Sequence, residues 1–187
     1  MKKKIKCMIL VLCLIIFTIV TYKVVTNENI YIDDIVYNFM SDNVINDKIT
    51  NIVKIITNIT SPLVVIVTAI ILIIFIKNKK IKLSLMINLI GVTIINNLFK
   101  VIIARPRPDI NRLVDETGYS FPSGHAITSM VFYGYLIYLI YKYVKNKYLK
   151  WFLITILGIL IVNIGISRIY LGVHYTSDVL AGFLISI

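Results

Sequence analysis

Apolar residues run along this chain in blocks rather than in stripes. Uncharged stretches occupy residues 7–22, 55–76, 83–99, 126–141 and 151–167, and a shorter one, 179–187, closes the sequence. Most are slightly shorter than the roughly 20 residues a spanning helix needs, but lysines at their edges can snorkel to the interface and extend them. Alternation at period two is absent from the sequence, which argues against a membrane β-barrel. The pattern predicts an all-α fold: a polytopic membrane helical bundle with six transmembrane helices, the last one short, as a single domain over residues 1–187. Pro62 after Ser61 reads as a helix start, placing the second span from there to Ile76. Between the first two spans, residues 24–54 are expected outside, with "YIDDIVYNFM" as an external helix lying at the interface.

Composition supports this reading. The chain is 58% hydrophobic and 16% charged, against about half and a quarter for a soluble domain. Its net charge of +11 raises the question of nucleic acid, and the distribution answers it. Twelve lysines fall in three clusters, "KKKIK", "KNKKIK" and "KYVKNKYLK", while all nine carboxylates lie elsewhere. With six spans the clusters share one side, which the positive-inside rule assigns to the cytoplasm. The N-terminus is then cytoplasmic in a multi-pass protein of the cell membrane, and no nucleic-acid partner is expected. The first apolar run resembles a signal peptide, but no small-x-small site follows it, so it reads as an uncleaved span. Cys7 and Cys13 lie within that run on different helix faces, as packing residues rather than a disulfide or ligand pair. Asp33, Asp34, Asp42 and Asp47 read as a solvated face in preference to a metal pair.

Three polar segments remain, each at the outer ends of spans. "KVIIARPRP" carries Lys100, Arg105 and Arg107; "YSFPSGHA" carries Ser123, Gly124 and His125; "SRIYLGVHYTSD" carries Ser167, Arg168, His174 and Asp178. All four arginines are external although most lysines are not. Arginine presents a fixed fork of donors suited to phosphate, so this concentration implies an anionic ligand. "PSGH" stands directly before the fourth span. Taken alone it is an ordinary cap; beside the arginines it is an anion site made of free helix N–H groups, a close-approaching glycine and a serine hydroxyl. His125 is then within reach to pass a proton. His174 and Asp178, four apart, share a helix face, and a carboxylate on Nδ1 leaves Nε2 free as a nucleophile. A lone pair of this kind is also a common helix-surface contact. Asp178, however, opens an apolar span, where a carboxylate is costly.

In order, these segments spell K-x6-R-P, P-S-G-H and S-R-x5-H-x3-D, and the sequence from about residue 100 onward resembles the type 2 phosphatidic acid phosphatase superfamily. The resemblance implies an integral membrane lipid phosphate phosphatase that needs no metal or cofactor. His174 would form a phosphohistidine, Asp178 would orient it, and His125 would serve as acid and then base. Lys100, Arg107, Ser123, Gly124 and Arg168 would hold the phosphoryl group. Arg105 lies outside the family pattern, as a second phosphate contact or a solvated charge. The implied substrate is a membrane lipid phosphate at the outer face: phosphatidic acid, phosphatidylglycerol phosphate or a polyprenyl diphosphate. Family members usually complete the last span, so this one reads as short or truncated. Competing readings are a metallohydrolase built on His125, His174 and Asp178, whose ion three nearby cations would repel, and a vanadate-dependent peroxidase, known examples of which are soluble. A non-enzymatic phospholipid-binding or flippase-like protein is the alternative from a different class, and it would need neither acid, nucleophile nor orienter.

Overall fold

The computed structural model describes residues 2–109 and 112–187. Among these residues the chain forms eight α-helices and no strand: α1 (Lys2–Val25), α2 (Tyr31–Asn43), α3 (Asp47–Asn58), α4 (Pro62–Phe75), α5 (Lys79–Ile103), α6 (Gly124–Tyr143), α7 (Lys147–Tyr170) and α8 (Thr176–Ile185). Local chemistry sets several boundaries. Asn46, Asn78 and Asn146 each accept backbone N–H bonds at the starts of α3, α5 and α7, the role short polar side chains serve at helix N-termini. Pro62 stands at the first position of α4, where its missing N–H costs nothing.

Three helices, α1, α5 and α7, are long and apolar enough to cross a membrane, and α3 with α4 forms a further candidate bent by 43° at its break. The 20 residues of α6 reach about 30 Å at 1.5 Å per residue, a bilayer core's thickness, whereas the ten of α8 reach about half that. Large apolar side chains face outward along these helices, among them Leu63, Phe75, Val101 and Ile102 at more than 70% exposure. Surface of that kind over whole helices is suited to lipid, not water. The protein is an all-helical membrane protein.

α5, α6 and α7 form the frame that carries the site. Gly124 at the start of α6 lies against Asn96 near the end of α5, and the Tyr135 hydroxyl bonds the carbonyl of Ile81 near its beginning. The two helices are therefore antiparallel. A three-residue linker then returns the chain into α7, which packs closely on α6. The main core joins Val65 and Ala69 of α4, Leu85 of α5, Phe132 and Tyr133 of α6, and Ile161 and Ile164 of α7. Short α8 is wedged among its neighbours at two glycines. A Cβ on Gly165 would fall 2.6 Å from Phe183 and 2.8 Å from Val179, and one on Gly182 would fall 3.0 Å from the Ser123 carbonyl. Close backbone approach replaces hydrophobic drive where the surroundings are lipid.

The segment between α1 and α4 is more structured than its sequence suggests. α3 is a separate helix, tied to the end of α7 by the Tyr170 hydroxyl, which bonds the Asn46 backbone and Thr50. In α2, Asp34 and Asp42 are exposed, as is Asp47 in α3, but Asp33 is buried at 6% exposure. The expectation of a solvated face fails for that one carboxylate, because it has an arginine partner.

Candidate active site

The site lies at the end of the bundle opposite the 76–78 and 144–146 linkers, where three chain segments are stitched by backbone hydrogen bonds. α5 ends at Ala104, whose left-handed conformation (φ +50°) turns the chain sharply outward. Pro106 and Pro108 keep it from resuming a helix. The Ser120 N–H donates to the Arg105 carbonyl at 2.9 Å and its hydroxyl to that of Pro106 at 2.9 Å. The Ser123 N–H donates to the Asp178 carbonyl at 3.0 Å. Loop, α6 start and α8 start are thus held at bond length, which fixes the side chains they carry.

Arg107 lies in the loop after α5. It donates to the carbonyls of Gly118 (3.1 Å), Thr117 (3.0 Å) and Val173 (2.9 Å), which aim its guanidinium inward. Arg168, in the last turn of α7, is buried at 2% exposure; it donates to the Thr57 hydroxyl at 2.8 Å and to Glu116 at 2.5 Å. Its Nε is buried without a partner among the described residues. The Glu116 carboxylate also lies 3.9 Å from Arg107, so an anion already bridges the two guanidinium groups. Lys100, in the last turn of α5, donates to the Tyr119 carbonyl. Ser123 occupies the N-cap position of α6, yet its hydroxyl makes no cap bond and is buried without a partner among the described residues. The ordinary-cap reading of that serine does not describe it. The first turn of α6, from Gly124, has no side-chain cap bond, so its backbone N–H groups are those a helix start leaves unpaired within the helix.

His174 lies in the turn before α8, not on the helix, so its meeting with Asp178 is a loop-to-helix contact. Its Nδ1 is 3.3 Å from Asp178 Oδ2, and its Nε2 is 3.2 Å from Arg107 Nη1. A guanidinium only donates, so Nε2 is the acceptor and the proton sits on Nδ1. Burial drives the imidazole pKa down to about 4; Asp178 opposes that shift, while the charges of Arg168 and Arg107 reinforce it. The ring is therefore neutral at neutral pH, with its lone pair facing Arg107. Asp178 is fully buried and also accepts the Tyr175 N–H at 2.9 Å, reaching back over the start of α8. His125, second residue of α6, is near enough for the charges of Arg168, Arg107 and Lys100 to act on it. It lines a cleft of about 330 Å³ with Thr60, Asn96, Asn97 and the apolar Val65, Leu89 and Val92.

Arg105 is not a solvated charge, because its side chain is 15% exposed and ion-paired on both sides. Nη1 donates to Asp178 Oδ1 at 2.6 Å and to the Ser177 hydroxyl at 2.8 Å, Nη2 donates to Asp33 Oδ2 at 2.9 Å, and the guanidinium stacks 3.9 Å from the centre of the Tyr175 ring. Burial opposes its charge most strongly, but the carboxylates of Asp178 and Asp33 outweigh that and raise its pKa. Sequence reasoning also passed over Glu116 and Thr57. Glu116 carried one legible signal, a lone glutamate between two motif segments.

Fold and site together, an all-helical membrane bundle with a buried histidine–aspartate pair beside guanidinium groups, define the class of this protein. The chain belongs to the PAP2 superfamily, whose family model matches residues 81–187. It is 42% identical over 92 residues to phosphatidylglycerophosphatase B of Bacillus subtilis, covering 48% of this chain and 45% of that protein. It is 35% identical over 126 residues to the undecaprenyl-diphosphatase of Sulfolobus acidocaldarius, covering 64% and 56%. The chain thus matches about half the length of these curated relatives. Its fold is that of the crystal structure of a transmembrane PAP2 type phosphatidylglycerolphosphate phosphatase from Bacillus subtilis, with a TM-score of 0.83 and 24% identity over 95% of this chain and 90% of that one.

Proposed function

We propose that this protein is an integral membrane phosphatase that hydrolyses lipid phosphate monoesters or diphosphates without a metal, through a phosphohistidine at His174. One observation carries the reading: the unprotonated Nε2 of His174 faces Arg107 while Asp178 holds Nδ1. A surface histidine–aspartate contact has no reason to turn its lone pair into a cluster of cations. A nucleophile that attacks phosphorus does, because the cations bind the oxygens around it.

Catalysis then follows from charge and position. The phosphoryl group takes the place of Glu116 on Arg168 and Arg107, with Lys100, the Ser123 hydroxyl and the Gly124 N–H as further donors. Nε2 forms the bond to phosphorus as the bond to the leaving oxygen breaks, and His125 gives that oxygen its proton. Water next attacks phosphorus, returns a proton to His125 and releases inorganic phosphate and free His174. The cations stabilise the charge spread over the phosphoryl oxygens in both steps. The cleft beside His125, polar near the histidine and apolar further along α4 and α5, suits a lipid whose phosphate lies at the interface.

Six spans, formed by α1, α3–α4, α5, α6, α7 and α8, give the arrangement that puts the lysine clusters in the cytoplasm and the site outside. The whole chain acts as one domain, with its chemistry in residues 100–187. The test is release of inorganic phosphate by purified protein from vesicles containing phosphatidic acid, phosphatidylglycerol phosphate or a polyprenyl diphosphate, in the presence of EDTA. Release from at least one is expected. Lipid movement between leaflets with no phosphate released would favour the flippase-like reading, and activity that needs added metal would favour a metallohydrolase.

A further inference from the structure

We propose that Arg105 and Asp33 are positioning residues for this reaction, a buried pair that holds the Asp178 carboxylate in place and balances its charge while His174 acts. The proposal rests on the reading of His174 as nucleophile.

The geometry is that of a bridge between two helices. Arg105 sits between carboxylates from α2 and α8, with one amino group on each. Asp33 accepts two bonds from α8 as well, the Ser177 N–H and the Ser177 hydroxyl, each at 2.7 Å. The first turn of α8 is thus clamped from outside by α2 and from the loop by Arg105. Asp178 Oδ1 is fully engaged by Arg105, which leaves Oδ2 to the Tyr175 N–H and to His174 Nδ1. Rotation of that carboxylate would break the bond that fixes the imidazole tautomer. Among the described residues the Arg105 side chain has no bond to those that would hold phosphate, so its influence on chemistry passes through Asp178.

Charge makes the same point. Asp33, Asp178, Arg105 and neutral His174 sum to one negative charge. As Nε2 attacks phosphorus the ring becomes positive, and the group of four becomes neutral. The network is thus better matched to the transition state than to the resting enzyme, the condition for lowering a barrier. Without Arg105 the resting sum is minus two, which holds a proton on His174 too readily. Without the Asp33 charge it is zero, which disfavours the imidazolium.

The other groups facing His174 are Arg107 from the loop, Arg168 from α7 and His125 from α6, while Asp178 also feels Lys100 from α5. None of these is altered in the test, and neither is the substrate's own titration. The experiment compares kcat, KM and the acid limb of kcat/KM for the unmodified protein, Arg105→Gln, Arg105→Lys and Asp33→Asn on one lipid phosphate in mixed micelles. Arg105→Gln is expected to lower kcat about 10–100-fold, as loss of an outer partner of a functional side chain does, with little change in KM. Its acid limb should move up by about one pH unit, the smaller end of what a single nearby charge does. Arg105→Lys should restore most of the limb. Asp33→Asn should also lower kcat but move the limb down. Unmoved limbs in both charge-removing variants would overturn the proposal, leaving Arg105 and Asp33 as packing alone. If Arg105→Gln does not fold, the nearly isosteric Asp33→Asn decides by the direction of its limb. An unmodified protein that releases no phosphate would instead refute the functional reading, and this proposal with it.

Discussion

At the scale of single residues, the two histidines differ in what the leaving group asks of them. In the proposed mechanism His174 forms the phosphorus–nitrogen bond whatever departs, so His174→Ala should abolish turnover of every substrate. His125, as the proposed acid, would supply a proton to the departing oxygen, and that help matters most for a basic one. General acid catalysis contributes about 10²–10⁴-fold. His125→Ala should cost kcat/KM near that amount on phosphatidic acid, whose leaving group is an alkoxide, and distinctly less on nitrophenyl phosphate. Equal losses on both, with chemistry limiting, would contradict the acid assignment. Residue types and spacing singled out His125, His174 and Asp178, and the structure brings His174 to Asp178 and places His125 near enough to interact with His174. The partners that orient them were not visible, since each is chosen by packing. Arg105 meets Asp33 from 72 positions away, and Arg168 meets Glu116 from 52. No local pattern selects such a pair. Asp33 carried a faint signal in sharing a helix face with Val36 and Tyr37, the spacing of a buried stripe.

At the scale of elements, apolar blocks located the helices, and polar punctuation located their ends only where a cap was present. Pro62, Asn78 and Asn146 mark true starts. α3 escaped because residues 47–54 mix Asp, Lys, Thr and Ile while its last turn merges into the 55–76 block, and it is held by the Tyr170 and Arg168 contacts to α7. The placement of α8 depends on glycines that no periodicity singles out. Gly182 lets the helix approach the Ser123 carbonyl, a backbone atom that cannot yield without moving the segment that carries His125. Gly182→Ala should therefore push α8 from the start of α6 by a few tenths of an ångström. Overpacking of this kind costs about 1–3 kcal/mol, and the same displacement separates Asp178 from its partners. A lowered midpoint of thermal unfolding in detergent, together with a fall in kcat, is the expected result. An unchanged midpoint and rate would mean the contact has slack.

At the scale of the whole molecule, the segregation of lysine from carboxylate predicts orientation. Both lysine-rich linkers lie at one end of the antiparallel α5–α6–α7 frame and the site at the other. Thr117 and Lys145 are exposed at opposite ends. In a protein with Cys7 and Cys13 replaced by alanine, a cysteine at Thr117 should react with an impermeant thiol reagent in intact cells, and one at Lys145 should not. The reverse pattern would invert the proposed topology. The Asn146 side chain caps α7, so the substitution is placed at exposed Lys145.

The central claim is that phosphate passes through His174, and a quench experiment addresses it most directly. Purified protein mixed with lipid labelled in its terminal phosphate, then stopped in alkali within the first turnovers, should carry label. The label should be stable to base, labile to acid, located on the peptide containing His174 and absent from His174→Ala. Dephosphorylation must be slow enough to trap it, and His125→Ala, which lacks the base for that step, should accumulate more on a substrate with a good leaving group. Full turnover of the lipid by His174→Ala, or label found on another residue, would contradict the account.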